Sequence, residues 1–289
     1  MWREALALAL ALALAALMAG AACAAEQRRW VDPHDTDPRL AQGEPPHLAV
    51  YDDAIAGAPL VVWLGGTGGK PATGPRGLYD TALQRGYRLL ALSYLNTPAV
   101  SQVCVGPRLR ADADCAQRFR QQRVWGAPSA GLVDDRPEDG IVPRLTRALQ
   151  HLARTDPAGG WDAYLDGDAP RWSRLVLAGQ SQGGGMAAFI AQTQAVAGVL
   201  MFSGGWDRGE GDIAGWYARP SATPAIRWHG TYHVAEPQAG TMARIYARLG
   251  LPAAHIHALS EPVRGGNPHG EGIGNPAYRP LWERMLPSP

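Results

Sequence analysis

A short apolar run that ends in a Gly-x-Ser-x-Gly motif constrains the fold of this chain most. Leu175–Ala178 has the length and composition of a buried strand, the motif spans Gly179–Gly183, and small residues typical of a helix follow it. Strand, sharp turn and helix in this order hold Ser181 in a strained conformation and expose its hydroxyl at the end of a sheet. The flanking glycines leave room for the neighbouring backbone. We therefore expect Ser181 to be a nucleophile; a glycine-rich turn without chemistry is the alternative.

Apolar runs bounded by glycine and proline alternate with helical segments along the rest of the chain. The predicted strands are His47–Asp52, Pro59–Leu64, Tyr87–Tyr94, Leu175–Ala178, Val196–Phe202, Ala225–Trp228 and Ala254–Leu259. The predicted helices are Leu78–Arg85, a segment with the apolar face Ile141, Leu145, Leu149 and Leu152, then Met186–Ala195, Thr241–Leu249 and Pro280–Met285. This alternation predicts an α/β fold, a doubly wound and mostly parallel sheet with helices on both faces. Reactive groups should lie in loops at the carboxyl ends of the strands.

Residues 1–25 have the pattern of an export signal: a short polar start with one basic residue, an Ala/Leu run and then small residues. The run is too short for a comfortable membrane span, and no second one follows. Cleavage is expected near Ala22–Ala25. Lipid attachment at Cys23 is an alternative, although Gly20-Ala21-Ala22 lacks the large apolar residue usual before a lipoprotein cysteine. We expect a periplasmic, secreted or lipid-anchored protein whose mature part, 26–289, is one domain of about 265 residues.

Charge and cysteine content narrow the class further. The formal net charge of +1 argues against a nucleic-acid-binding protein. Cys104 and Cys115 remain as an even pair after export, which favours one disulfide over two free buried thiols. They lie in residues 96–135, a stretch without clear periodicity that we interpret as an irregular, cap-like insertion shaping a pocket. Its arginines could attract an acidic substrate, but a solvated basic surface is the commoner explanation.

Three features of the chain together resemble the α/β-hydrolase superfamily. They are Gly179–Gly183, the glycine-rich turn Gly65–Gly69 after an early strand, and a late histidine; the resemblance extends from about Pro59 to Leu286. It implies a nucleophile, an acid and a histidine in that order along the chain. It also implies an oxyanion hole formed by the backbone N–H of Gln182 and an N–H of the early turn, for which Thr67 is our candidate. A phosphate-binding turn is disfavoured because no Lys-Ser/Thr follows.

The resemblance places the base in the loop after the last strand, where His269 stands in a glycine-rich segment. His257, with His255 nearby, is the alternative, although both lie in the preceding apolar run. The acid of relatives often follows the strand before last as Gly-x-x-Asp, but here His233 occupies that position. Glu236 is therefore our candidate acid, with Asp207 as the alternative because some members use an earlier loop.

These residues predict an exported serine hydrolase that cleaves carboxylic esters, small or polymer-derived, without a cofactor. An amidase or peptidase with the same triad, and an inactive binding protein on this scaffold, are the alternatives. His229, His233 and Glu236 could suggest a metal site, but a structural or pocket-lining role is favoured, so no metal is expected. Trp125, Trp206 and Trp216 are expected near strand ends, where an indole could stack on a ligand; packing is the default interpretation for each.

Overall fold

An eight-stranded sheet forms the centre of the molecule. The computed structural model describes residues 26–55, 57–127 and 131–289; the expected export signal and Cys23 lie outside the described residues. The sheet strands are β1 (Glu26–Val31), β2 (His47–Asp52), β3 (Leu60–Leu64), β4 (Arg88–Leu92), β7 (Leu175–Gln180), β8 (Gly198–Phe202), β9 (Trp228–His233) and β10 (Ile256–Leu259). A separate two-stranded hairpin is formed by β5 (Leu165–Asp166) and β6 (Ala169–Pro170).

The strand order is β1-β2-β4-β3-β7-β8-β9-β10. β2 pairs antiparallel with both β1 and β4, and the pairs from β4 through β10 are parallel. Sequence reasoning predicted this mostly parallel α/β sheet correctly. Because β3 and β7 to β10 run in one direction, their carboxyl ends lie at one edge of the sheet.

Helices connect the strands. The α-helices are α1 (Pro33–Thr36), α2 (Arg76–Gln84), α3 (Val100–Val103), α4 (Gly106–Ala111), α5 (Cys115–Trp125), α6 (Ile141–Thr155), α7 (Gln182–Thr193), α8 (Ala239–Arg248), α9 (Glu271–Gly274) and α10 (Arg279–Met285). Short 3₁₀ segments lie at Pro71–Thr73, Pro137–Asp139, Pro157–Gly159, Trp161–Tyr164, Trp172–Arg174, Gly215–Ala218, Ala225–Arg227, Ala253–His255, Pro268–Gly270 and Pro276–Tyr278. None of the helices in the described ranges has the length and apolar character needed to cross a bilayer.

The sheet has an apolar core on each face. Successive side chains of a strand point to opposite faces, so Val62 and Leu64 of β3 belong to one cluster while Val61 and Trp63 belong to the other. The first cluster is covered by apolar residues of α5, α6, α7 and α8, and the second by those of α2 and α10. Both faces are therefore buried, as the predicted doubly wound architecture requires.

Two strand predictions need correction. Ala225–Arg227 forms a 3₁₀ turn after Pro224, and the strand begins only at Trp228 and continues to His233. Sequence reasoning missed this extension because Trp228–His233 mixes histidine, glycine and threonine instead of forming an apolar run. It also missed β1, an edge strand that carries Glu26, Arg28 and Arg29 and in which exposed and partly buried positions alternate. Edge strands carry charge because one of their sides faces water.

The described part of the insertion, 96–127 and 131–135, contains three helices, so the expectation of an irregular segment is wrong. It contains α3, α4 and α5, and the sulfurs of Cys104 and Cys115 are bonded at 1.99 Å. The apolar period of α5 is hidden because Arg120, Gln122 and Arg123 are themselves buried. Each has polar partners: the arginines pair with Asp207 and Asp135, and Gln122 donates to the carbonyl oxygen of Val133.

Candidate active site

The loops that follow five adjacent strands meet at the carboxyl edge of the sheet. Gly65–Gly69 follows β3, Ser181 follows β7 and residues 203–207 follow β8. Glu236 follows β9 by three residues, and His269 stands in the segment after β10. The sheet order β3-β7-β8-β9-β10 therefore gathers the predicted nucleophile, acid and base in one region, the place where ligands bind in open α/β sheets.

The turn at Ser181 is strained in the way the motif predicts. Ser181 has φ 57° and ψ −124° between the last residue of β7 and the first of α7. Its backbone N–H donates to the carbonyl oxygen of Phe202 at 2.9 Å, which ties the turn to β8. A side chain on Gly183 would overlap the carbonyl oxygens of Leu64 and Gly65, so only glycine fits between α7 and β3. A serine held at positive φ by this packing is the feature of a nucleophile turn.

Glu236 and His269 are joined by a hydrogen bond. Nδ1 of His269 lies 2.6 Å from Oε2 of Glu236. The carboxylate is almost completely buried, while the imidazole side chain is 29% exposed. A turn from His233 to Glu236, closed by a 3.0 Å backbone hydrogen bond, supplies the three residues by which Glu236 lies beyond the strand. A carboxylate bound at Nδ1 fixes the ring and leaves Nε2 for a second partner.

His269 is held near the nucleophile turn by two neighbours. The side-chain amide of Gln180 donates to the carbonyl oxygen of His269 at 3.3 Å, and the Trp206 indole stands edge-on to the imidazole with ring centroids 5.1 Å apart. Trp206 lines the same cavity as Ser181. No hydrogen bond joins the Ser181 hydroxyl to His269 within the described ranges. Catalytic hydrogen bonds often tighten only when a substrate is bound.

Both predicted oxyanion-hole residues line the cavity at Ser181. Gln182 is the first residue of α7, where backbone N–H groups have no partner within the helix. The Gln182 side chain forms two hydrogen bonds with other backbone groups: Oε1 accepts from Val100 N at 3.1 Å, and Nε2 donates to Asn96 O at 2.7 Å. Thr67 is exposed at the tip of the Gly65–Gly69 turn.

Asn96 holds this glycine-rich turn in shape. Its Oδ1 accepts from Gly68 N at 3.1 Å, and its Nδ2 donates to Gly69 O at 2.7 Å. The buried Tyr94 hydroxyl donates to Gly65 O at 2.6 Å, and burial raises the pKa of Tyr94, so it stays a neutral donor. Hydrogen bonds with Tyr94 and Asn96, which follow β4, therefore hold the Gly65–Gly69 turn in place.

Asp207, the alternative acid, is occupied elsewhere. Its carboxylate accepts from Arg120 Nε at 2.5 Å, from Arg120 Nη2 at 2.6 Å and from Trp216 Nε1 at 2.9 Å. Burial opposes the charged form of Arg120, but attraction and hydrogen bonding to Asp207 outweigh it and raise the pKa of Arg120. The structure thus brings Glu236, and not Asp207, to the imidazole of His269.

The imidazole rings of His229, His233, His255 and His257 have partners other than Ser181 and Glu236. His257 pairs with His229 at 3.2 Å near the amino ends of β9 and β10, and His255 stacks on His229 with centroids 4.1 Å apart. Burial, followed by the charges of neighbouring groups, lowers the pKa of His229 and of His257 to about 4. His233 uses both ring nitrogens for backbone groups. No set of three metal-binding side chains occurs in the part of the chain that the structure describes.

Ser203 is a site residue that sequence reasoning missed. It is buried directly after β8 and is, with Ser181, one of two non-glycine residues at positive φ (45°) in the described ranges. Its hydroxyl donates to Oε1 of Glu236 at 2.7 Å, and the backbone N–H of His233 donates to the same oxygen at 2.8 Å. Its one sequence signal is its position, at the end of a predicted strand and before Gly204-Gly205.

The strand order, the opposed β2 and the strained serine between β7 and α7 define an α/β-hydrolase fold. Solved structures similar to this chain include carboxyl esterase 2 from the fungus Tuber melanosporum, at 13% identity, TM-score 0.47 and coverage of 90% of this chain and 87% of that one. Another is a dienelactone hydrolase from Anabaena variabilis, at 16% identity, TM-score 0.46 and coverage of 90% and 97%. A third is a hormone-sensitive lipase from a metagenome library, at 16% identity, TM-score 0.43 and coverage of 84% and 81%. No protein-family model and no curated protein sequence matches the chain. The fold is therefore assigned from the strand order, the antiparallel β2 and the turn at Ser181.

Proposed function

We propose that this protein is an exported serine hydrolase that cleaves carboxylic esters with a Ser181-His269-Glu236 triad. The observation that carries the proposal is the 2.6 Å contact between His269 Nδ1 and the buried Glu236 carboxylate, formed at the same sheet edge as the strained Ser181. A nucleophilic serine needs a base, and the base needs a group that orients it. Glu236 serves as that orienting group.

In the first half-reaction, Ser181 Oγ attacks the ester carbonyl carbon while its proton passes to His269 Nε2. The negative charge that develops on the carbonyl oxygen is stabilised by the backbone N–H groups of Gln182 and Thr67. His269 then gives the proton to the leaving alcohol as the C–O bond breaks, which leaves an acyl group on Ser181. Glu236 stabilises the imidazolium during these steps without taking its proton.

In the second half-reaction, water replaces the alcohol. His269 removes a proton from the water, the hydroxide attacks the acyl carbon, and the same two N–H groups stabilise the second oxyanion. Breakdown returns the proton to Ser181 Oγ and releases the carboxylic acid. Atoms balance with water as the only co-reactant.

The Cys104–Cys115 disulfide supports the exported location. Disulfides form and persist in oxidising compartments and are rare in the bacterial or eukaryotic cytosol. The export pattern in residues 1–25 points to the same location. Fractionation of expressing cells, with mass determination of the mature chain, tests this part of the proposal: the expected product is oxidised and lacks the first residues.

Hydrolysis of p-nitrophenyl acetate by the mature protein tests the reaction. We expect turnover by the wild type, loss to background in Ser181→Ala, and covalent labelling of Ser181 by a fluorophosphonate. An Arg248→Gln variant is the matched control, since it removes an exposed charge on α8 and should leave both signals intact. A wild type that neither turns over esters nor takes the label would contradict the proposal and favour a binding role.

Replacing each candidate acid decides which one belongs to the triad. Glu236→Gln keeps the shape but removes the charge and allows the wrong imidazole tautomer, so we expect kcat to fall by about 10³–10⁴-fold. Asp207→Asn is expected to destabilise the protein through Arg120 while the folded fraction retains most of its kcat. The reverse pattern, with kcat lost only in Asp207→Asn, would make Asp207 the acid.

A further inference from the structure

The cavity at Ser181 continues into a second cavity beneath the insertion. The first is lined by Thr67, Ser181 and Gln182 among others, and the second by Val105, Arg208 and Gln238 among others. They share four lining residues: Val100, Ser101, Trp206 and Asp207. We call this continuous space the groove. A ligand that reacts at Ser181 can therefore extend past Trp206 toward Arg208.

Apolar side chains line part of the groove between Ser181 and Arg208. Val100, Val105 and the Cys104 end of the disulfide come from the insertion, and Trp206 comes from the loop after β8. An indole beside aliphatic side chains suits an apolar or aromatic segment of a ligand. The part of the ligand in contact with these walls should thus carry no charge.

The charges along the groove leave one cation in excess. Arg120 and Asp207 neutralise each other through two hydrogen bonds. Gln238 is uncharged, and no further acidic side chain lines either cavity. The guanidinium of Arg208 makes no hydrogen bond or ion pair within residues 26–55, 57–127 and 131–289, unlike Arg123 of the insertion, which pairs with Asp135. Guanidinium groups bind carboxylates well because their donors match the two oxygens.

We propose that the groove selects esters that carry an anionic group, a carboxylate first among them, at the end of an apolar or aromatic segment, and that Arg208 binds this group. The inference rests on the proposed function, since it names the substrate class of the same site. Binding of the anion would lower KM and place the ester carbonyl at Ser181. Arg208 is a specificity-determining residue in this scheme and takes no part in proton transfer.

Two pairs of esters that differ only in charge test the inference. In the first pair the charge lies on the leaving group: 4-acetoxybenzoate against 4-acetoxybenzamide. In the second it lies on the acyl part: p-nitrophenyl hydrogen glutarate against its terminal amide. For each pair the ratio of kcat/KM, anionic over neutral, is measured for wild type, Arg208→Gln, Arg208→Glu and the control Arg248→Gln. Comparing ratios between variants cancels the intrinsic reactivity of each ester.

We expect Arg208→Gln to lower the ratio in one of the pairs by about two- to fivefold, the range of an ion pair formed by an exposed arginine. Arg208→Glu should lower it further, Arg248→Gln should leave it unchanged, and added salt should reduce the wild-type ratio. The pair that responds identifies the part of the ester that occupies the groove.

Equal ratios in wild type and both Arg208 variants, for both pairs, would overturn the inference and leave the hydrolase intact, because the neutral esters would still be cleaved. Lack of turnover of all four esters, with no fluorophosphonate label on Ser181, would instead contradict the proposed function itself. A change of the same size in Arg248→Gln would show that net charge, and not Arg208, sets the preference, and would also overturn the inference.

Discussion

Each oxygen of the Glu236 carboxylate has its own set of partners. Oε2 meets the imidazole of His269, while Oε1 accepts hydrogen bonds from the Ser203 hydroxyl and the His233 N–H. These separate partners fix the plane of the carboxylate. Glu236 has a longer side chain than an aspartate and lies in a turn instead of at a strand end. Ser203 adopts a positive φ, a conformation that costs a non-glycine residue about 1 kcal/mol or more. We infer that this strain is tolerated because the hydroxyl positions the acid.

Two substitutions at Ser203 separate its hydroxyl from its strain. Ser203→Ala removes the hydroxyl and keeps the unfavourable φ, whereas Ser203→Gly removes the hydroxyl and relieves the strain. We expect both variants to lower kcat by about tenfold, the range of one lost hydrogen bond to a charged group, with KM little changed. Thermal unfolding should distinguish them, because Ser203→Gly should be the more stable.

Steady-state kinetics and melting curves of the same preparations provide the check. If activity followed stability, so that Ser203→Gly recovered the wild-type kcat, the hydroxyl would have only a structural role.

At the level of single residues, the sequence pointed to Ser181 because its signal is local. A strand, two glycines and a serine within a few positions report the turn directly. The acid is different, since its identity depends on which of two loops reaches an imidazole far along the chain. Asp207 and Glu236 both follow strands, and only the positions of Arg120 and Trp216 reveal that Asp207 is occupied. Such long-range pairing leaves no pattern in the sequence.

Among the elements, α5 is joined to the site by one buried ion pair. Arg120 of this helix lies against Gly185 of α7, where a side chain would overlap the guanidinium, and it binds Asp207 in the loop after β8. Arg120 also stands over the Trp216 ring at 5.5 Å. The pair therefore connects the insertion, α7 and the loop that carries Trp206.

Replacing one partner of this pair should lower the free energy of unfolding far more than replacing both. Asp207→Asn leaves the buried Arg120 charge without its partner, and we expect a loss of about 3–5 kcal/mol in the free energy of unfolding. The double variant Arg120→Met, Asp207→Leu removes both charges and should recover most of that loss, because apolar replacement of a buried pair is often nearly neutral. Urea unfolding of the wild type and the variants measures both values.

The surface pair Arg244–Asp212 is the matched control: Asp212→Asn should change the free energy of unfolding by less than about 1 kcal/mol. A double variant no more stable than Asp207→Asn would show that the geometry of the pair, and not its charge, stabilises this region.

Element prediction succeeded where apolar runs report burial. β2, β3, β7 and β8 were predicted within a few residues because both of their faces are covered, which makes the strands almost continuously hydrophobic. The helices of the insertion were not predicted because the buried positions of α5 include arginine and glutamine, whose hydrogen-bond partners lie outside that helix. Charged residues inside a fold are recognisable only when their partners are known.

For the molecule as a whole, we expect acid stability to depend on a histidine far from the site. His47 is fully buried at the start of β2, and its Nδ1 accepts from the Ser93 backbone N–H at 2.9 Å. Burial first, and then the nearby charges of Arg144 and His151, lower the pKa of His47 from 6.5 to about 3. In the unfolded chain the His47 imidazole becomes protonated below about pH 6.5, whereas in the folded protein it stays neutral down to about pH 3. Folding is therefore penalised increasingly as the pH falls through this window.

Replacing His47 should make the fold less sensitive to acid. His47→Asn removes the titrating group while its side-chain oxygen can still accept from Ser93. Between pH 6.5 and pH 3 we expect the free energy of unfolding of the variant to fall less steeply than that of the wild type, by about 1.4 kcal/mol per pH unit. Urea unfolding at a series of pH values measures the two slopes, and His34→Asn is the control, since His34 is half-buried and is not among the groups that shift the pKa of His47. Parallel curves would show that other groups govern acid unfolding.

Gly183 shows what the turn at Ser181 requires of the neighbouring backbone. The space between β3 and α7 has no room for one methyl group, since the atoms it would strike are main-chain oxygens that cannot rotate away. We expect proteins that share this turn to vary elsewhere in the sequence and yet to keep glycine at the position of Gly183. Diversity among them should concentrate in the loops and the insertion, while intolerance to change should be greatest at a residue that contributes no side chain at all.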